Sequence, residues 1–461
     1  YSYKMKSQHF TLYYYNSAGA IVKTVPPKGV VPVNSRIATS HTYVTSYNYN
    51  TVGNMVNQTT PDAGKSDFKY NGKALLRYSM NAEQSSAPTK RYSYSKYDDL
   101  GRVIESGEAS LGQGTTWEQL DPEDATFPTS NIVEKTVTTY SIPTTSITYF
   151  GKEQRYLQNR ISNVVATDKR GDVSSTYYSY DPHGNVEWLV QDIPGMGLTY
   201  TAYEYDLVSN KVTKVRYNEQ LPDKFFHRYA YDEDNRLTMV ETSRDGIIWE
   251  KDAAYEYYAH GPLKTALVGN DKLQKIDYTY TLQGWLKGIN TPDLSTDESV
   301  DGYAKDVFGM SLNYYSGDYN KTGSPFNSTS TTTGYLAPTT DLYNGNIGAW
   351  TSMNLGLASN DFVHGSTISG FTYEYDMLNR IKTSNFKYMN GTTFVNPNNE
   401  YNSTYSYDPN GNITRLVRNG YLLANNSVSM DDLTYHYNNG TGAPTNKLNW
   451  ITDVNPTPVL R

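Results

Sequence analysis

The chain has 461 residues, with 40 Lys and Arg against 47 Asp and Glu, a formal charge of −7 and no cysteine. The missing cysteine excludes a disulfide framework and thiolate metal sites. Thinly spread charge with no basic block argues against a nucleic-acid partner, because phosphate neutralisation needs clustered Lys and Arg.

The longest apolar runs are far too short to span a bilayer. This length suits two to four ordinary domains or one large β architecture. Tyrosine is unusually frequent, 45 of 461 residues, while Leu, Ile, Val and Phe are sparse for a thick core. A tyrosine ring packs while its hydroxyl meets water, which suits a sheet that is wet on at least one side. The composition points to a thin-walled object.

The chain opens with "YSYKMKSQHF", which has neither an initiator Met nor a signal peptide, and stops in "NPTPVLR". The expectation is an internal or processed portion of a longer protein. Along it a tyrosine-rich phrase keeps returning, as in "YSYDPHGNVEWL" from Tyr178, "YAYDEDNRLTMV" from Tyr229, "YEYDMLNRIKTS" from Tyr373 and "YSYDPNGNITRL" from Tyr405. Aligned on the second tyrosine, the anchors fall at Tyr15, Tyr49, Tyr70, Tyr97, Tyr180, Tyr205, Tyr231, Tyr257, Tyr280, Tyr375, Tyr407 and Tyr437. From Tyr180 to Tyr280 the anchors stand 23 to 26 residues apart. That period marks a repeat architecture and fits a hairpin rather than two helices.

Each position in a unit has a physical reason. The pairs Tyr178 and Tyr180, Tyr229 and Tyr231, Tyr373 and Tyr375, and Tyr405 and Tyr407 each share one strand face, because side chains alternate with period two. Asp98, Asp181, Asp232, Asp376 and Asp408 follow their anchors and start turns by bonding the backbone ahead. The slot four after the anchor holds Gly101, Gly184, Asn235, Asn379 and Gly411, residue types that tolerate positive φ. Six after the anchor, Val103, Val186, Leu237, Ile381 and Ile413 resume the strand. The Tyr70, Tyr205 and Tyr437 units break this spacing.

Two stretches interrupt the array. Residues 104–176 hold a degenerate unit, "ITYFGKEQRYLQNRISNV", and the loop-like "GQGTTWEQLDPEDATFPTS". Residues 291–370 hold "TPDLSTDESVDG" and "NSTSTTTG". Both read as loops or excursions from one array over 1–461, with no clean domain boundary.

Other chemistry is weak. The histidines His9, His41, His183, His227, His260, His364 and His436 fall in no metal-binding spacing and read as turn or wall residues. The repeated Asp residues could be imagined as paired carboxylates of a glycosidase, yet equivalent turns give them no unlike environments. "DPEDATFP" near Asp121 and "SGDYN" near Asp318 lack EF-hand spacing and read as solvated loops. "GSTISG", Gly365 to Gly370, is not a nucleophile elbow. Trp188 and Trp285 read as packing. No catalytic residue, metal or cofactor is expected in this region.

"YDDLGRVIESG" at Tyr97, "YDPHGNV" at Tyr180 and "YDPNGNI" at Tyr407 resemble the YD repeats of the RHS (rearrangement hotspot) family. So do "TLYYYNSAGAIVKTVPPKGV", "TTPDAGKSDFKYNGKALLRYS", "FFHRYAYDEDNRLTMVETSRDG", "YTYTLQGWLKGIN" and "YNGNI". The resemblance runs through nearly the whole chain, and its longer phrases resemble those of the large bacterial members. It implies an all-β fold in which tandem hairpins form one spiralling antiparallel sheet that closes into a hollow shell. It implies a non-catalytic structural role in a secreted or cell-surface bacterial protein. That shell would enclose and help deliver its own C-terminal effector, with secretion machinery or a chaperone as partner. The RHS core plug and the effector domain are not found before Arg461. The alternative is an adhesion or binding protein exported by a dedicated outer-membrane secretion system.

Overall fold

The computed structural model describes residues 10–454, apart from 31, 34–35, 38–39, 271–272, 292–293, 295–301, 321–323, 325, 327–334, 355–367, 421–428 and 438–443. His9, His364, "NSTSTTTG" and most of "TPDLSTDESVDG" therefore lie outside the described residues.

Among the described residues twenty-nine strands are joined in one antiparallel sheet. Helix accounts for 3% of the described residues, and among them hydrogen bonds do not close the sheet on itself. Contacts divide the chain into two compact units, one of Tyr1–His227, Ser243–Ile248 and Tyr437–Lys447, the other of Arg228–Thr242, Trp249–His436 and Leu448–Arg461.

In the first unit successive strands of this sheet pair with one another, while Pro32–Val33 and Arg36–Ile37, between its second and third strands, form a separate two-stranded sheet. The early part runs Leu12–Tyr15, Ile21–Val25, Thr45–Tyr49, Met55–Thr60, Gly64–Tyr70, Leu76–Met80 and Arg91–Tyr97. It continues through Val103–Ser110, Ile132–Tyr140, Ile161–Thr167, Val173–Tyr180, Val186–Ile193, Gly197–Tyr205 and Val212–Tyr217. Residues 104–176 thus carry strands of the array, separated by the long connections 111–131 and 141–160. Within this unit Asn446 also reaches the turn at Asp62, where its backbone N–H donates to Oδ1 at 2.6 Å.

The second unit repeats the pattern from Glu250–Tyr257 through Leu263–Val268, Gln274–Tyr280, Leu286–Ile289 and Phe308–Asn313. It goes on through Ala349–Asn354, Ile368–Tyr375, Ile381–Asn390, Ser403–Tyr407, Ile413–Asn419, Ser429–His436 and Trp450–Asp453.

The hairpins share one irregularity. Pairing slips by a residue between Ser179 and Tyr180, Glu204 and Tyr205, Glu256 and Tyr257, Glu374 and Tyr375, and Ser406 and Tyr407. A residue in the left-handed region makes this three-residue loop with a bulge. Gly411 stands there at φ 95°, and Asn235 and Asn379 at 61°. In the Tyr70 unit the spacing is kept and Ala74 takes the slot at φ 60°. In the Tyr205 unit one residue is added and Asn210 takes it at φ 55°.

Packed cores form where a long connection folds back over the sheet. Leu120, from the 111–131 connection, joins Tyr78, Met80, Tyr92, Tyr94 and Ala109, with Trp117 and Phe127 against them. Arg77, also buried, holds that connection by donating to the carbonyls of Pro122, Asp124 and Phe127 at 3.2, 2.6 and 3.0 Å. Tyr149, from the 141–160 connection, joins Trp188, Val190 and Ala202. In the second unit Leu294 joins Met353, Ile368 and Met389. These connections supply the depth that a single sheet lacks.

Candidate functional site

The turn aspartates work as backbone receptors. Asp98 Oδ1 accepts the N–H groups of Leu100 and Arg102 at 3.0 and 2.9 Å, and Asp232 accepts those of Asp234 and Arg236 at 3.0 and 2.8 Å. Asp376 repeats this with Leu378 and Arg380, and Asp408 with Asn410 and Asn412. Asp181 accepts from Gly184 and Asn185 at 2.7 and 2.9 Å. Asp168 builds the same turn, accepting from Arg170 and Asp172 at 2.8 and 2.9 Å. Sequence comparison passes over that turn because Thr167 stands where the anchor tyrosine would be.

The second oxygen of each carboxylate bonds a side chain. Arg102 Nε donates to Asp98 Oδ2 at 2.7 Å, Arg236 Nε to Asp232 at 2.8 Å, and Arg380 Nε to Asp376 at 2.6 Å. The same guanidinium groups lie over tyrosine rings of a neighbouring hairpin. Arg102 lies over Tyr140 at 4.2 Å, Arg236 over Tyr257 at 4.7 Å and Arg380 over Tyr407 at 4.7 Å. Each arginine therefore couples the aspartate of its own turn to the tyrosine of another hairpin.

The anchor hydroxyls complete the stitch. Tyr180 OH donates to the Ile161 carbonyl at 2.9 Å, Tyr205 to Val186 at 2.9 Å, and Tyr257 to Leu237 at 2.8 Å. Tyr375 donates to Ile347 at 2.9 Å, and Tyr407 to Ile381 at 2.8 Å. Tyr49, Tyr97 and Tyr140 bond Ile21, Leu76 and Val103 in the same way. Except at Ile347, which lies two residues before the strand Ala349–Asn354, the acceptor is the first residue of an earlier strand. These hydroxyls meet protein carbonyls rather than only the water that composition suggests. A neutral hydrogen bond of this kind contributes about 0.5–1.5 kcal/mol. Tyr257→Phe, which keeps the ring over Arg236, is expected to weaken local closure by about 1 kcal/mol. Hydrogen exchange around Leu237 should then quicken several-fold, while unchanged exchange would contradict the latch.

The turns also make the fold acid-sensitive. At Asp232 the N–H of Arg236 is the largest influence and holds the carboxyl below its ordinary value of 3.8. At Asp98, Asp181 and Asp376 desolvation pushes upward, and the donated hydrogen bonds together outweigh it. A depressed carboxyl gives stability that is full above the unfolded value and is lost as pH falls through the lower native one. Asp232→Asn keeps an acceptor for the turn but removes the titration and the Arg236 ion pair. Protection of this turn's amides from hydrogen exchange is expected to fall less than in the wild type between pH 7 and pH 3, and an equal fall would refute the assignment.

The remaining candidates separate. His41 Nε2 lies 2.6 Å from Tyr14 OH, His227 packs on Phe225, His260 on Tyr258 and His436 on Trp450. His183 stands 4.0 Å from Asp181. Among the described residues no group of three His, Asp or Glu comes together as a metal site, and no helix is long and apolar enough to cross a membrane. Trp188 is buried in a core, and Trp285 packs on Tyr314 with ring centres 5.0 Å apart. A groove of about 530 Å³ runs over Lys135, Thr136, Asp168 and Arg170. Several turn tips instead expose apolar side chains: Val52, Leu100, Leu207, Val208, Leu282 and Met377.

One buried cluster is absent from the sequence reading. Lys287, in the strand Leu286–Ile289, is 0% exposed. Its Nζ lies 2.6 Å from Asn313 Oδ1 and 2.8 Å from Asp318 Oδ1. The Tyr314 N–H donates to Asp318 Oδ2 at 2.9 Å. Asp318 thus belongs to a buried ion pair rather than to a solvated loop, because two donors replace its water. Burial lowers the Lys287 pKa from its ordinary value, with Asp318 opposing that shift. The 31-residue separation of this pair leaves no pattern in the sequence.

No family model matches the sequence, and no curated protein matches it. Solved structures do show a likeness. A crystal structure of TcdB2-TccC3 without its hypervariable C-terminal region matches 96% of this chain, with a TM-score of 0.61 and 14% identity. The chain spans 18% of that neighbour. A crystal structure of TcdB2-TccC3-Cdc42 matches 97% of this chain and 23% of its own, with a TM-score of 0.31 and 11% identity. The Photorhabdus luminescens Tc holotoxin pore matches 92% and 23%, with a TM-score of 0.28 and 12% identity. The first of these establishes a shared fold along nearly the whole chain, and the other two add nothing to it.

Proposed function

We propose that this chain is a stretch of shell wall in a large secreted bacterial protein of the RHS type. The shell encloses a C-terminal effector and helps deliver it. The observation that carries this reading is the fold shared over 96% of the chain with TcdB2-TccC3. The YD-type hairpins support it from the sequence side. Asp and Asn that recur at equivalent turns, each occupied by its own backbone, leave these residues a structural role. A wall of this kind needs hairpins that hold together without a thick core, and the Asp–Arg–Tyr stitches supply that.

The test is protease protection of the full-length gene product. The segment following the shell should resist digestion while the sheet is intact and be cut rapidly once it is unfolded. Equal cleavage in both states, with the intact protein bound at the bacterial surface, would overturn enclosure in favour of display.

A further inference from the structure

We infer that Lys287 and Asn313 form an intramolecular isopeptide bond, with Asp318 moving the proton. This inference goes beyond the shell reading and does not depend on it.

The reacting groups are already in place. Lys287 and Asn313 lie on the paired strands Leu286–Ile289 and Phe308–Asn313, and both are 0% exposed. Nζ stands 2.6 Å from the carbonyl oxygen Oδ1 of Asn313, and Ser311 Oγ donates to that same oxygen at 3.1 Å. The other end of the amide is fixed, since Nδ2 donates to the Leu336 carbonyl at 2.8 Å. This fixes the amide so that oxygen rather than nitrogen faces the lysine. The Ser311 hydroxyl polarises the carbonyl, and holding nucleophile and electrophile together in one buried place removes most of the entropic barrier to attack.

The proton balance closes without an outside reagent. Asp318 Oδ1, 2.8 Å from Nζ, takes a proton from the ammonium and leaves a neutral amine. Burial favours that form, lowering the lysine pKa. The nitrogen lone pair attacks Asn313 Cγ and the C=O electrons move onto Oδ1. When they return, the Cγ–Nδ2 bond breaks. The departing nitrogen collects the second Nζ proton and the proton held by Asp318, and leaves as ammonium. The new amide joins Nζ to Cγ, and Asp318 is again a carboxylate. Nothing is oxidised or reduced.

A buried ion pair with good hydrogen bonds would share most of this geometry, but not its mass. Intact-mass measurement of the full 461-residue chain under denaturing conditions is expected to fall short of the sequence mass by one ammonia. Digestion should yield a branched peptide joining Lys287 to Asn313. Lys287→Arg and Asp318→Asn, each checked for β structure by circular dichroism, should regain the unlinked mass. The full sequence mass in the folded wild type would overturn the proposal. So would a deficit without the branched peptide, or loss of water with linkage to Asp318.

Discussion

Lys287→Ala is expected to cost about 3–5 kcal/mol, because removing one partner strands a buried charge. Whether its nitrogen is an ammonium or an amide, Lys287 Nζ is what meets both Asn313 Oδ1 and Asp318 Oδ1. Taking it away leaves the Asp318 carboxylate buried, at 4% exposure, without its lysine donor. The double change Lys287→Met with Asp318→Asn removes the stranded charge and keeps an acceptor for the Tyr314 N–H. It is expected to recover most of the loss. Hydrogen exchange over 308–318 reads this locally, which matters because long repeat arrays do not unfold as a single two-state unit. A single variant as stable as the wild type would show that the pair holds nothing together.

Trp188→Ala is the second large effect, at about 3–5 kcal/mol for a truncated buried aromatic. Trp188 is 2% exposed and lies 5.7 Å from the Tyr149 ring at 23° between planes. Tyr149 belongs to the 141–160 connection, which is also tied down by Gln154 Nε2 donating to the Ser162 and Tyr178 carbonyls at 2.7 Å. Without the indole the connection should lift while the strands beneath it stay paired. Proteolysis and exchange are therefore expected to rise over 147–157 well before they rise over 173–193. Trp188→Phe should fall between the two. Uniform loss of protection along both strands would contradict this division between wall and covering loop.

The fold was readable from the sequence because its information is local. Alternating tyrosines, an Asp or Asn after the anchor, and Gly, Asn235 or Asn379 four residues on specify strand, turn and bulge within one hairpin. What escaped is carried by register between hairpins. Nothing in "YDEDNRLTM" says that Arg236 will lie over Tyr257, or that the Tyr257 hydroxyl will bond Leu237, until the strands are placed side by side. Tyr140 escaped for a related reason, because its turn is replaced by the 141–160 connection although its hydroxyl still bonds Val103. The Lys287 cluster escaped most completely. A lysine within "GWLKG" looks solvent-facing until Asn313 and Asp318 close over it.

These observations give one physical picture of the wall. Turns are held by an Asp or Asn side chain, and those of Asp98, Asp232 and Asp376 are each latched to another hairpin by an arginine and a tyrosine. Single contacts contribute about 1 kcal/mol or less, so cohesion comes from repetition. Local cores appear where connections fold over the sheet.

Cryo-electron microscopy of the full-length gene product shows whether these hairpins enclose a lumen. The expected map shows a single-layered wall of these hairpins around a lumen, with further density inside it. Sheets packed face to face with no lumen would contradict enclosure.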